Sequence, residues 1–254
     1  MFRGKAQFAA ICLLAALSGC RAPPGSAAGG VPSGDAGYVS PPQVISAAPS
    51  AGRVTLSGTA PAGAQVRLAT PDGQAWAAQA DGDGRWRLHA PTEGQVRIFG
   101  LSAVNAGRRV QAQGYLLVGP RGQTALLRAG AAALRLDRPA GSRIAVVDFD
   151  SEGGVLLSGW AAAGTDVAIR LDGHQVADAR ADEDGRFVYA WPRLAQGLHR
   201  VEATGVAFTD EIAFDITPAP PLVNGPLHSQ LTPQGFRADW LTPGGGVQST
   251  IISG

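Results

Sequence analysis

Apolar and polar residues alternate along most of the chain with a period of two. Val54, Leu56 and Gly58 point one way and their polar or small neighbours the other; Val66 with Leu68, Trp86 with Leu88, and Val96 with Ile98 follow the same rule. Pro, Asp or Gly occupy the breaks. The pattern returns further on in Val155/Leu157, Val167/Ile169/Leu171, Phe187/Tyr189/Trp191, Val201/Ala203 and Ile212/Phe214/Ile216. A period of two punctuated by turn residues predicts short, half-buried strands, and no segment sustains a helical period. Runs of about seven such strands, spaced by roughly 8 to 12 residues, predict sandwiches of two antiparallel sheets.

One break, ADGDGRW at 80–86, begins like a calcium loop. Such a loop needs an oxygen ligand at position five, Gly at six and a bidentate Glu at twelve. Counted from Asp81, those positions hold Arg85, Trp86 and Thr92, so the stretch reads as a turn. Asp-Gly between alternating apolar residues predicts a hairpin, with Gly supplying the positive φ.

The same phrase recurs. Shifted by 101 positions, Val54–Pro91 lies over Val155–Pro192 with 16 of 38 positions identical, including L-S-G, A-x-A-G and D-G-R. A gapless repeat of this length means two copies of one folding unit. The phrase V-x-L-S-G-x-A-x-A-G-x-x-V followed by A-D-x-D-G-R-[WF] resembles the bacterial Ig-like domains of adhesins and envelope proteins, over about 45–118 and 144–217. That resemblance implies all-β, tandem Ig-like sandwiches and a structural or binding role. It names no site, since the shared positions are turns and core. With only two copies, and an Ala- and Leu-rich insertion between them, the chain departs from a long adhesive stalk. The insertion predicts an added hairpin with strands at 124–128 and 131–136.

The N-terminus supplies an address. MFRGKAQFAAICLLAALSGC has basic Arg3 and Lys5, then an apolar run from Phe8 to Leu17 that is too short to span a bilayer, which takes about 20 residues. Its ending, Leu17-Ser18-Gly19-Cys20, resembles the lipobox of bacterial lipoproteins. The resemblance implies that Cys20 carries the lipid and becomes the acylated mature N-terminus, so that membrane lipid is the first partner. Arg21 and Ala22 follow where Asp would retain such a protein at the inner membrane, which implies the outer membrane, its periplasmic face favoured over the surface. Cys12 leaves with the leader, so no thiol remains for disulfides, metal binding or nucleophilic catalysis.

The expected organisation is a signal peptide (1–19), lipidated Cys20 with a flexible Pro/Gly/Ser/Ala linker (20–43), a first Ig-like domain (44–118), the hairpin insertion (119–141), a second Ig-like domain (142–218) and a Pro-rich linker with a C-terminal β-hairpin (219–254). The linker spans on the order of 25 Å as a flexible coil. In the tail, Phe236, Ala238 and Trp240 alternate with polar residues, and 247–253 is β-prone and uncharged. A lone hairpin is unstable in water, so the tail is expected to dock, on its own chain or on a partner.

Charge and chemistry narrow the function. The net charge of +1 excludes a basic field for nucleic acid. His89, His174, His199 and His228 are scattered, no H-E-x-x-H or G-x-S-x-G is present, and no cofactor is implied. Asp148, Asp150 and Glu152 share one face of a predicted strand at the domain junction, as either calcium ligands or a solvated face. Trp86 matches Phe187 as a core position, whereas Trp76, Trp160, Trp191 and Trp240 lack aromatic counterparts and suit either core or sugar stacking. The resulting expectation is a membrane-anchored, non-catalytic envelope binding or scaffolding lipoprotein whose partner is an envelope protein or a glycan. The alternative is a carbohydrate-active envelope protein, either a glycan-binding module or a glycoside hydrolase.

Overall fold

Every regular element in the computed structural model, which describes residues 39–139, 143–233 and 235–254, is a β-strand. The leader, Cys20 and most of the linker lie outside the described residues. The first copy contributes β1 (Gln43–Ser50), β2 (Arg53–Thr59), β3 (Gln65–Ala69), β4 (Ala75–Gln79), β5 (Arg85–Pro91), β6 (Arg97–Asn105) and β7 (Arg108–Val118); the insertion adds β8 (Thr124–Leu127) and β9 (Leu134–Arg135). The second copy contributes β10 (Ile144–Asp150), β11 (Val155–Trp160), β12 (Asp166–Leu171), β13 (His174–Arg180), β14 (Arg186–Trp191), β15 (Gly197–Gly205) and β16 (Phe208–Ile216). The tail follows as β17 (Leu227–Thr232), β18 (Gly235–Leu241) and β19 (Val247–Ser253).

Sequence duplication becomes duplicated topology. In the first copy, sheet one (β1-β2-β5) faces the β4-β3-β6-β7 part of sheet two; in the second, β10-β11-β14 of sheet three faces sheet four (β13-β12-β15-β16). Each is an Ig-like sandwich of three strands on four. The L-S-G phrase has a packing reason in both copies. Gly58 pairs with Trp86 and Gly159 with Phe187 across neighbouring strands. A Cβ on either glycine would lie 2.6 Å or 2.5 Å from that ring, so the aromatic can lie flat only over a residue without one.

The acidic phrase is a turn, but it does not close a hairpin. β4 belongs to sheet two and β5 pairs with β2 in sheet one, so Ala80–Gly84 carries the chain from one sheet to the other. Asp81 organises it: its Oδ1 accepts the amides of Asp83 (3.0 Å) and Arg85 (2.8 Å). Gly84 takes φ +77°, and Gly185 takes +75° at the same place in the second copy.

Insertion and tail lengthen the two middle sheets. β8 pairs with β7 and β9 with β8, a hairpin whose second strand is shorter than the alternation predicts. The tail docks on its own chain, with β19 beside β10 from Val146↔Ile252 to Asp150↔Gln248. It is three-stranded where the sequence suggests two, because polar LHSQLT forms β17 on the far side of β18.

The four sheets stack around three cores. Leu56, Trp86, Phe99 and Leu116 lie in the first sandwich; Val147, Leu157, Phe187 and Phe214 lie in the second. Between the sandwiches, Ile98, Leu117 and Leu127 of sheet two meet Val146, Trp160, Phe236, Trp240 and Ile252 of sheet three. Burying each such side chain stabilises the joint by about 1.5–3 kcal/mol.

Candidate functional site

The tail covers only part of the outward face of sheet two, and where that cover ends a groove opens. Its floor is formed by β3, β6 and β7; its other wall is Pro226 and the β18–β19 turn, with Leu241, Pro243 and Gly245. The cavity measures about 520 Å³, within the range of small-molecule sites. Register places the polar groups. Arg67 stands opposite Ser102 on β6, which stands opposite Gln111 on β7, so the three form one row across the sheet. Arg109 lies one row away, opposite Val104. Gln111 and Tyr115, four residues apart on β7, share a face, and the irregularity of the β6–β7 ladder between Gly100 and Ser102 sets them opposite those two residues. The Tyr115 ring is fixed edge-on against buried Trp240, with centroids 6.1 Å apart.

Electrostatically the groove is one-sided. Arg67 and Arg109 line it and no carboxylate does. Neither guanidinium has a hydrogen-bond or ion-pair partner among the described residues. Such a site can bind and orient an acidic ligand; it contains no nucleophile–base pair.

The residues singled out from sequence lie elsewhere. Cys20 is outside the described residues. Asp148 does not line a solvated face: it is 1% exposed, inside the joint, because insertion and tail cover that side of β10. Its Oδ2 accepts the Ala133 amide at 2.7 Å and its Oδ1 the Thr250 hydroxyl. Thr250 in turn accepts the Trp240 indole N–H at 3.1 Å. Burial pushes the Asp148 carboxyl up to about 6, against the opposing pull of these hydrogen bonds and of Arg128. Asp150 and Glu152 are exposed, and Asp150 Oδ1 is occupied by the amides of Glu152 and Gly154 in the β10–β11 turn. The three carboxylates therefore do not converge, and among the described residues no group of three or more His, Cys, Asp and Glu is placed to hold a metal ion.

Trp86, Trp160, Trp191 and Trp240 are buried, and half-buried Trp76 packs edge-on against Phe99. None of the four buried indoles is available as a sugar platform. Two His–Asp pairs also occur. His199 is bonded at both ring nitrogens, to Asp172 and to the Ala195 carbonyl, each at 2.9 Å, which leaves no lone pair to act as a base. Burial opposes charge on His199, but Asp172 and that carbonyl outweigh it and hold its pKa above the ordinary value. In the other pair, Asp239 sits at the centre of His228, Arg237 and Ser249. A Ser–His–Asp relay needs the imidazole in the middle, so this cluster is a polar clamp around the buried Asp239 carboxylate, with His228 on its exposed side.

Nothing in the sequence marks Arg67, Ser102, Arg109, Gln111 and Tyr115 as a set. Alternation assigns them to the solvent side of strands, and the tail that walls the groove lies more than a hundred residues away.

No protein-family model matches the chain, and no curated protein matches it either. Among solved structures, a biofilm-associated protein BSP domain matches at 13% identity and a TM-score of 0.24, over 72% of this chain and 30% of that one. The chain thus spans less than a third of that structure's length. The central fibronectin-III array of RIM-binding protein matches at 13% identity and a TM-score of 0.28, over 84% of this chain and 89% of that one. At these scores no ligand or activity follows from either. The Ig-like assignment rests on the strand order of the two sandwiches themselves.

Proposed function

We propose that this protein is a lipid-anchored, non-catalytic binding module of the bacterial cell envelope, held by acylated Cys20 at the outer membrane and facing the periplasm. The observation that carries the binding role is the groove on sheet two, with two unpaired arginines held on a backbone that the shared core fixes. A rigid site suits recognition, since little ordering entropy opposes binding. The L-S-G-C sequence supports the anchor, and the linker provides reach from the bilayer.

The test places a photo-crosslinking residue at Gln111, in the groove, or at Leu198, on the outward face of sheet four, in intact envelopes. Adducts are expected from Gln111 and not from Leu198, with the protein resisting a sodium carbonate wash unless Cys20 is replaced by Ala. Equal labelling from both positions would overturn the binding site, and membrane retention of Cys20→Ala would overturn the anchor.

A further inference from the structure

We propose that the groove takes an acidic oligosaccharide, its carboxylates held by Arg67 and Arg109. The inference rests on the binding role argued above and specifies its ligand.

The duplication provides an internal control. On the corresponding outward face of the second copy, the arginines have partners: Arg170 lies 3.7 Å from Glu202 and Arg200 lies 2.6 Å from Glu211. The first copy has Gly100 where the second has Glu202, and its two cations face a cavity without acids. An outward face that carries paired charge in one copy therefore carries unmatched positive charge in the other, and there it lines a groove. Arginine's planar fork matches a carboxylate through two parallel hydrogen bonds.

Geometry sets the scale. Arg67 and Gln111 lie two strands apart, about 10 Å, and Arg109 stands two residues from Gln111 along β7, about 7 Å. The cations thus sit at opposite corners of a patch the size of a disaccharide. Two guanidinia balance two singly charged acids, whereas a nucleic acid would need a broader basic field. The row between them offers the Ser102 hydroxyl and the Gln111 amide for hydroxyl groups. Tyr115, Leu241 and Pro243 offer apolar surface for a ring face.

An acidic peptide fits less well. β3 and β6 are paired on both sides, and β7 is paired on both sides over Tyr115–Val118, whereas its 108–114 stretch pairs with β6 alone and leaves an edge there. A peptide strand added at that edge would lie three strand spacings, about 14 Å, from β3 and would leave Arg67 out of reach of its backbone. Contact with both arginines across the floor is made through side chains, which suits a ligand recognised through hydroxyls and carboxylates.

The test titrates the purified full-length protein in detergent with hexagalacturonate, its carboxyl-reduced neutral counterpart and hexaglutamate. Hexagalacturonate is expected to bind in a salt-sensitive manner, with affinity falling about tenfold for Arg67→Gln and about tenfold again for Arg109→Gln. Gln111→Glu, which adds a competing carboxylate while leaving both arginines in place, should also weaken it, and Arg200→Gln should not. The neutral oligomer is expected to bind at least tenfold more weakly. Equal binding of hexaglutamate would overturn the sugar assignment. An absence of hexagalacturonate binding, or indifference to all three groove substitutions, would overturn the proposal. If hexagalacturonate fails while Gln111 still crosslinks in envelopes, the ligand class falls and the binding role stands.

Discussion

The two sandwiches share a strand order, yet equivalent outward positions have opposite surroundings. Ala47 stands opposite Leu56 as Val147 stands opposite Leu157, which makes Ser46 the counterpart of Val146 and Ala48 that of Asp148. Ser46 and Ala48 are exposed; Val146 and Asp148 are buried in the joint. On the other sheets the asymmetry reverses. Leu68 pairs with Leu101 as Ile169 pairs with Ala203, so Ile98 corresponds to Arg200. Ile98 is in the joint and Arg200 is in solvent. Each copy therefore presents a different sheet to its neighbour, and the apolar residues follow the contact. Inward positions are fixed by the fold; outward positions record what covers them.

The largest expected effect comes from removing the cover. Truncation after Pro221 deletes β17–β19, frees the β10 edge and exposes Val146, Trp160 and Leu127. Calorimetry should then show the single transition of the full chain divided into two, both at lower temperature, as the sandwiches lose their shared core. One unshifted transition would mean that the joint contributes nothing.

Matched substitutions sharpen the comparison. Ile98→Ala should cost about 2–5 kcal/mol as a buried large-to-small change. Arg200→Ala, at the equivalent position, should cost less than about 1 kcal/mol, because an exposed ion pair contributes little. Urea unfolding of the two variants measures the difference, and similar losses would contradict the assigned joint.

These contrasts show what was legible in the sequence. The sandwiches were, because alternation at Val54/Leu56 and Val155/Leu157 and the D-G-R turns are local signals present twice. The joint was not. Whether Asp148 faces water depends on the insertion at Ala133 and on a strand from residues 247–253, and no local pattern encodes those contacts. Asp148 looked like part of a solvated or calcium-binding face because alternation gives the side of a strand and not its neighbour. β17 was missed because an edge strand exposed on both faces has no alternation to read. The groove was invisible for the same reason as the joint, since its polar row is ordinary strand surface until the tail walls it.

Asp148 offers a test through pH. Its carboxyl is raised from 3.8 to about 6 in the fold, so the folded state holds the proton more tightly than the unfolded chain. This group's contribution is therefore fully present below about pH 4 and is lost as pH rises through about 6, by an amount on the order of 3 kcal/mol. Asp148→Asn keeps an oxygen acceptor and cannot ionise, so its unfolding midpoint should lack that part of the decline between pH 4 and 7. Parallel pH profiles for the two proteins would place Asp148 outside the low-dielectric joint.

The smallest effect is expected where the two copies agree. Asp81 and Asp182 accept the same pair of amides at the same distances, 3.0 and 2.8 Å, and each turn carries its chain between the two sheets of one sandwich. Replacing either by Ala leaves two exposed amides to water in place of a carboxylate, a loss of about 1 kcal/mol. The insertion reaches the second turn through the Arg138 guanidinium at the Asp184 carbonyl (3.5 Å) but bonds neither aspartate side chain. The two losses should therefore be close and should be unchanged by added calcium. A calcium-dependent rise in melting temperature that either substitution removes would restore the ion-binding reading. Unequal losses would mean that the joint's asymmetry reaches the far ends of the sandwiches, and the copies could no longer serve as controls for each other.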